Sequence, residues 1–165
     1  LANAVFNKHD VLLVILDNGT TAMTGHQPNP GVCTSVLGEG CNHLDIESVV
    51  RGIGVTDVAK VKPFNMRGTL KTIEEMKARS GVRVIIAEEP CMLFARRTLK
   101  QNRPQVAEVA TQGEEALKCL AELACPAFRR GGTAEAPVVS VDESQCSGCM
   151  VCLQVTPAIR ARKRS

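Results

Sequence analysis

The stretch VLLVILDNG, residues 11–19, decides the fold that the sequence predicts. A continuous aliphatic run that ends in Asp-Asn-Gly is typical of a strand buried on both faces and closed by a turn. Two further strands are predicted, DVAKVKPF at 57–64 and VRVIIAEEP at 82–90, and two helices separate the three strands, at 45–55 and 65–81. This alternation predicts an α/β fold, a parallel sheet with helices on its faces.

Composition sets limits on the rest of the chain. The 165 residues suffice for one domain, or for one domain and a small module. There is no Trp or Tyr and the net charge is only +3, so stacking platforms and strong basic patches for nucleic acid are not expected. No apolar run approaches the roughly 20 residues that span a bilayer, and the start lacks a signal-peptide pattern. A cytoplasmic protein without membrane contact is therefore predicted, with residues 160–164 as a solvated basic tail.

The loop that follows the first strand, residues 19–43, is rich in Gly, Pro, Thr and Asn. It begins at the carboxyl end of a parallel strand, where open α/β sheets bind ligands. Its side-chain oxygens suit a hard cation that is bound together with phosphate, and its glycines allow close backbone approach. A plain Gly-rich connection is the alternative. The candidate binding residues are Asn18, Gly19, Thr20, Thr21, Thr24, Gly25 and His26.

Eight cysteines are present, and three of them stand in C-x-x-C-x-x-C spacing near the C-terminus. Such crowding indicates metal binding rather than a disulfide framework. Pro157 follows, but Thr156 stands where such runs have their fourth cysteine. In two-cluster bacterial ferredoxins, the fourth cysteine of each motif binds the other cluster and precedes a proline.

Cys125, followed by Pro126, fits that crossed position. The sequence therefore predicts one intact 4Fe–4S site, and Cys119 is interpreted as a relic of a lost first site. Zinc, a three-iron cluster on the triplet alone, and no metal are the alternatives. The predicted ligands are Cys125, Cys146, Cys149 and Cys152.

The predicted domains are an α/β domain over residues 1–97, a linker over 98–112, and a degenerate ferredoxin-like domain over 113–165. Cys91 is expected to be a buried small hydrophobe. Cys33 and Cys41 lie in the long loop, where they could pair or bind something.

Three stretches carry a resemblance to a known family: NAVFNKHDVLLVILDNGTTAMTGHQPNPG at 3–31, VRVIIAEEPC at 82–91, and the ferredoxin-like tail. The chain resembles the large subunit of indolepyruvate ferredoxin oxidoreductases, which belong to the thiamine-diphosphate-dependent 2-oxoacid:ferredoxin oxidoreductases. The resemblance implies that the loop binds thiamine diphosphate. It also implies that the Asn18 side chain and the Thr20 carbonyl bind Mg²⁺.

The family motif opens with a Gly-Asp pair, which would lie before Leu1, and the activating glutamate belongs to an N-terminal domain. The chain is therefore expected to be a C-terminal piece of the large subunit, to contain no catalytic residue, and to be inactive alone. The family carries two clusters, whereas the residues here support one.

The implied reaction is oxidative decarboxylation of aryl 2-oxoacids to acyl-CoA, with electrons passing through the cluster to ferredoxin. The implied partners are the small subunit, ferredoxin, coenzyme A and the 2-oxoacid. The alternative is a non-enzymatic, one-cluster electron-transfer module on an α/β scaffold, which would have no need of the loop at 18–31.

Overall fold

The computed structural model describes residues 1–32, 35, 37, 38, 40, 42–97 and 103–164. Cys33 and Cys41 lie outside the described residues. The chain forms two compact units, Leu1–Lys100 and Gln101–Ser165. No helix in the described ranges is long and apolar enough to cross a membrane.

The first unit alternates helices and strands, with one 3₁₀ turn after the first strand. Its elements are α1 (Ala2–Phe6), β1 (Val11–Asp17), the 3₁₀ turn (Ala22–Thr24), α2 (Ile46–Gly52), β2 (Asp57–Val61), α3 (Met66–Lys77), β3 (Val82–Glu88) and α4 (Met92–Arg97).

The three strands of the first unit form one parallel sheet in the order β1-β3-β2. In its register Asp17 at the end of β1 lies beside Glu88 at the end of β3. The carboxyl ends of β1 and β3 therefore meet at one edge of the sheet. The predicted parallel α/β fold is confirmed.

Side-chain caps explain where the two longer helices of this unit begin. The Asp45 carboxylate accepts a hydrogen bond from the Ser48 backbone N–H at 2.9 Å, immediately before α2. The Asn65 side chain does the same for the Gly68 N–H at 3.2 Å, before α3. Both satisfy donors that a helix start leaves without intrahelical partners. Helix α2 therefore begins at the start of the helix predicted over residues 45–55.

The prediction that β1 is buried on both faces is wrong. Leu16 is 78% exposed and Val14 is 47% exposed, whereas Ile85 and Ile86 of β3 are at most 1% exposed. Strand side chains point to the two faces of a sheet, and the faces of β1, at one end of the order β1-β3-β2, are less covered than those of the central β3. The same aliphatic composition therefore produces a central strand in one case and a half-covered edge in the other.

The second unit has the order β-α-β-β-α-β. Its elements are β4 (Gln105–Val109), α5 (Glu114–Leu123), β5 (Phe128–Gly132), β6 (Pro137–Val141), α6 (Cys152–Val155) and β7 (Ile159–Lys163). β4 pairs antiparallel with β7, and β5 pairs antiparallel with β6. Their buried side chains, among them Val106, Cys119 and Val139, form one core.

Two expectations for this unit need correction. Residues 105–109 fall inside the predicted linker, but they form β4, in which Val106 is completely buried. The predicted solvated basic tail is strand β7. Its arginines are paired, Arg160 with Glu108 at 2.8 Å and Arg162 with Glu143 at 2.6 Å. The polar composition of β7 gives no sign of this pairing. Its partner strand, β4, lies about fifty residues earlier in the chain.

Candidate functional site

The loop after β1 is anchored by backbone hydrogen bonds to the segment after β3. The Asn18 carbonyl accepts from the Cys91 N–H at 2.9 Å, and the Asp17 carbonyl accepts from the Glu89 N–H at 3.0 Å. The Asn18 side-chain oxygen accepts from the Thr20 N–H at 3.1 Å. These bonds fix the Asn18 side chain and the Thr20 backbone relative to each other at the carboxyl end of β1.

The next residues close into a small ring. The Thr21 N–H donates to the Gln27 carbonyl at 3.1 Å, and the His26 N–H donates to the Thr21 carbonyl at 3.0 Å. Gly25 has φ +109° and His26 has φ +64°, so two successive residues adopt the left-handed region to make the turn. Glycine accepts this backbone freely, whereas histidine adopts it at a cost in strain.

Two polar atoms of this loop are buried without a hydrogen-bond partner among the described residues: Thr20 Oγ1 and His26 Nδ1. Thr20 itself is 6% exposed. The His26 ring is held by stacking on Phe94 of α4, with 5.3 Å between ring centroids. A buried polar group without a partner costs about 1–3 kcal/mol, which a ligand with matching oxygens or protons would recover.

The structure thus brings the loop residues predicted from sequence into one continuous turn at the sheet edge. Asn18 and Thr20 lie at its base, and Thr21, Thr24 and His26 lie within the ring. Phe94 was missed by the sequence reasoning. Its signal is faint, one aromatic residue in a short helix that follows a strand.

In the second unit, the predicted cysteine ligands line one cavity of about 270 Å³. The cysteines in its wall are Cys125, Cys146, Cys149 and Cys152, and the rest of the lining is mostly apolar, including Leu123, Pro126, Phe128 and Met150. Within the described ranges, no group of three or more His, Cys, Asp or Glu side chains is placed to hold a metal ion.

Close backbone packing shapes the segment that carries the triplet. Gly148 has φ +72°, and a Cβ there would lie 2.6 Å from the Gln105 carbonyl oxygen. Only glycine fits this position without displacing the start of β4. The Ala107 N–H of β4 donates to Cys146 Sγ at 3.5 Å. The first cysteine of the triplet is thus already the acceptor of a backbone hydrogen bond.

Burial sets the protonation state of two thiols in this unit, Cys152 and Cys119. It raises the pKa of Cys152 to about 12, with a smaller contribution from the neighbouring Cys119. Burial likewise raises the pKa of Cys119 to about 11. Both thiols are therefore protonated at neutral pH, and any metal that binds Cys152 must displace its proton.

A hydrogen-bond network lies where the sequence predicts the lost site. Counting back from Cys125 by the ferredoxin spacing puts the missing triplet at residues 115, 118 and 121, so Cys119, interpreted as a relic of that site, stands at none of the three positions. Thr156, which is 2% exposed, donates from its hydroxyl to a Glu115 carboxylate oxygen at 3.0 Å, and Lys118 pairs with Glu115. The Thr156 hydroxyl also accepts from the Ala158 N–H at 3.2 Å. Two positions that the crossing rule assigns to one lost cluster are therefore in contact.

Comparison with known proteins gives a consistent result. Residues 1–87 match the family described as thiamine pyrophosphate enzyme, C-terminal TPP binding domain. The chain is 39% identical over 158 residues to indolepyruvate oxidoreductase subunit IorA of Archaeoglobus fulgidus, covering 95% of this chain and 25% of that protein. It is 41% identical over 162 residues to the same subunit of Methanothermobacter thermautotrophicus, covering 96% and 24%.

A third relative, subunit IorA of Pyrococcus horikoshii, is 36% identical over 160 residues, which are 95% of this chain and 24% of that protein. The chain thus spans about a quarter of the length of these curated relatives. No solved structure matches it. The family model covers more than half of the chain, and the similarity to the relatives covers nearly all of it. The chain therefore belongs to the thiamine pyrophosphate enzymes, as a C-terminal cofactor-binding domain, and corresponds to the C-terminal part of the indolepyruvate oxidoreductase large subunit.

Proposed function

We propose that this chain is the diphosphate-binding and electron-relay part of a 2-oxoacid:ferredoxin oxidoreductase that acts on aryl 2-oxoacids such as indolepyruvate. The observation that carries the proposal is a combination within one chain. A thiamine-pyrophosphate-family domain is followed by a unit in which four cysteines surround one cavity. The names of the relatives, which refer to indolepyruvate oxidoreductase, agree with this chemistry.

The residues of the first unit fit the diphosphate end of the cofactor. Mg²⁺ prefers oxygen ligands, and the Asn18 side chain and the Thr20 carbonyl supply two. The buried, unpartnered Thr20 Oγ1 and His26 Nδ1 are suited to diphosphate oxygens. Thiamine diphosphate, when bound, acts as the electron sink for decarboxylation of a 2-oxoacid. The chain's own part is to hold the metal and the diphosphate, with Thr21, Thr24 and the backbone at Gly19 and Gly25 completing the loop.

The second unit fits a 4Fe–4S cluster better than a zinc ion. Zinc needs its thiolates at about 2.3 Å from one point, whereas the cubane cluster distributes four thiolates over four irons. Four cysteines line one cavity, and three of them have the C-x-x-C-x-x-C spacing, which supports the second arrangement. The Thr156–Glu115 hydrogen bond supports the crossed pairing, since it joins the two halves of the proposed lost site, and Cys125 lines one cavity with Cys146 across the proposed intact site.

The remaining roles follow from the family resemblance. We assign no catalytic residue to this chain, and we place the activating glutamate in the rest of the large subunit. The small subunit, ferredoxin, coenzyme A and the 2-oxoacid are the proposed partners, in the cytoplasm. We propose two domains: an α/β domain over residues 1–97, and a degenerate ferredoxin-like domain over 113–165 that is extended to include β4.

The test has two independent readouts. Anaerobic reconstitution of the chain with iron and sulfide should give the broad visible absorption of an iron–sulfur protein and a 4Fe–4S complement of metal. Titration of the apo large subunit with thiamine diphosphate and Mg²⁺ should show binding that requires both. Iron without cofactor binding would favour the electron-transfer module instead. A colourless chain that takes up one zinc would refute the cluster.

A further inference from the structure

Arg164, immediately after β7, reaches two separate segments of the second unit with one side chain, through three backbone carbonyls. Its guanidinium donates from Nη2 to the Cys146 carbonyl at 2.8 Å and from Nη1 to the Glu143 carbonyl at 3.2 Å. Its Nε donates to the Arg103 carbonyl at 3.3 Å. The backbone N–H of Arg164 adds a bond to the Pro104 carbonyl at 2.8 Å.

These carbonyls enclose the first cysteine of the triplet. Glu143 and Cys146 belong to the turn that leads into it, in which the Cys146 N–H donates to the Glu143 carbonyl at 3.2 Å. Arg103 precedes β4, whose Ala107 N–H donates to Cys146 Sγ. The Arg164 side chain therefore ties the turn on one side of Cys146 to the strand on the other.

The chemistry of the side chain matters as much as its position. Arginine keeps its charge at all ordinary pH values and presents its donors in a rigid planar fork, which lysine cannot reproduce. The potential of an iron–sulfur cluster is set by net charge, by hydrogen bonds to the sulfurs and by exposure. A fixed cation bonded to the carbonyl of a ligand residue stabilises the reduced, more negative cluster over the oxidised one.

We propose that Arg164 is a positioning residue for the cluster. Its hydrogen bonds fix Cys146 in place, and its positive charge raises the reduction potential of the cluster. This inference rests on the proposed function, because it requires that Cys146 binds iron. It assigns to the basic C-terminal segment a role in the electron path, beyond pairing β7 with its neighbours.

The test compares three variants of the reconstituted full chain. Arg164→Gln removes both the positive charge and the planar set of guanidinium donors. Arg164→Lys keeps the charge but loses the planar donors. Lys163→Gln removes the same charge from the adjacent, exposed residue and serves as the matched control. Cluster loss is followed by visible absorbance in the presence of an iron chelator. The midpoint potential is measured by redox titration monitored by electron paramagnetic resonance.

Arg164→Gln should lose its cluster severalfold faster than the parent chain. Its midpoint potential should fall by up to 59 mV, the equivalent of a tenfold change for a one-electron couple. Arg164→Lys should keep the parent potential and still lose its cluster faster. Lys163→Gln should match the parent in both measurements.

An Arg164→Gln chain with the parent's potential and rate of loss would overturn the inference, as would equal effects from Lys163→Gln. If Arg164→Gln does not fold, as judged by circular dichroism, the lysine variant decides, and a parent-like rate of loss there overturns the inference. A parent chain that takes up no iron would overturn the proposed cluster itself, and the inference with it. The two failures are distinguishable. In the first the parent chain contains no iron, whereas in the second the parent chain contains iron and its Arg164 variants have the same potential and the same rate of cluster loss.

Discussion

Replacing Cys125 with alanine should destroy or convert the cluster, although this cysteine lies more than twenty residues before the triplet. Its thiol lines the same cavity as Cys146, Cys149 and Cys152, so its loss leaves one iron without a protein thiolate. Iron and sulfide analysis after anaerobic reconstitution should show at most a three-iron complement. Cys149→Ala should have a similar effect.

The structure supplies a control with the opposite profile. Cys119 is completely buried in the core of the same unit, whereas Cys125 is only partly buried. Deleting the Cys119 sulfur removes packing worth about 1 kcal/mol, comparable to one methylene. In a domain of 60–100 residues this corresponds to a Tm lower by about 4–8 °C. Cys119→Ala should therefore lower the Tm of the apoprotein more than Cys125→Ala does, while leaving its iron content intact.

Thr156→Ala completes the comparison. It leaves the buried Ala158 N–H without its acceptor, which costs about 1–3 kcal/mol, but no iron should be lost. A full iron complement in Cys125→Ala, or a loss of iron in Thr156→Ala, would show that the two halves of the repeat are paired wrongly here. Iron could be retained in Cys125→Ala if the Cys119 thiol replaced that of Cys125 as a ligand. The Cys119→Ala/Cys125→Ala double variant tests this explanation, because it removes both thiols.

Three further predictions concern the loop, the triplet and the buried core. Asn18→Ala should weaken binding of Mg²⁺ and thiamine diphosphate in titrations of the apo large subunit, because a hard cation loses a side-chain oxygen. The control is Asn65→Ala, which removes the cap of α3 and should cost about 1 kcal/mol of stability with unchanged affinity. Gly148→Ala should destabilise the apoprotein by about 1–3 kcal/mol in urea unfolding and reduce iron loading, because its Cβ meets the start of β4 at a positive φ. Gly131→Ala, whose nearest atom would lie 3.9 Å away, should load normally. Apoprotein stability should fall as the pH rises from about 9.0 to about 11, since the unfolded chain releases the Cys119 and Cys152 protons before the folded chain does. Cys119→Ala should make that slope shallower, and an unchanged slope would contradict the burial argument.

The parallel sheet could be predicted from sequence because its signals are local. Aliphatic runs ended by turn residues locate β1 and β3, and the Asp45 cap locates α2. The sequence did not show how many neighbouring strands each strand has in the sheet. Burial of β1 depends on which strands lie beside it, and its own composition carries no information on that point.

The second unit shows the same division between local and distant information. Val106 and Ala107 are buried in β4, yet five residues in polar surroundings give too weak a pattern to distinguish a strand from a linker. Their partner β7 lies at the other end of the unit, and its arginines resemble a solvated tail until the pairing with Glu108 and Glu143 is known. The association of Cys125 with the triplet could be anticipated, because a repeat rule relates distant residues without any need for local periodicity.

The outer side of β1 has a practical consequence for anyone who prepares this chain. Among the described strands β1 pairs on one side only, and Leu13, Val14 and Leu16 are exposed along it. An open strand edge with exposed aliphatic side chains is a template for aggregation. Yield and monodispersity should therefore depend steeply on protein concentration. A lysine introduced at Leu13, which is 38% exposed and lies farther from the loop along β1 than Leu16 does, is the first substitution to try for solubility.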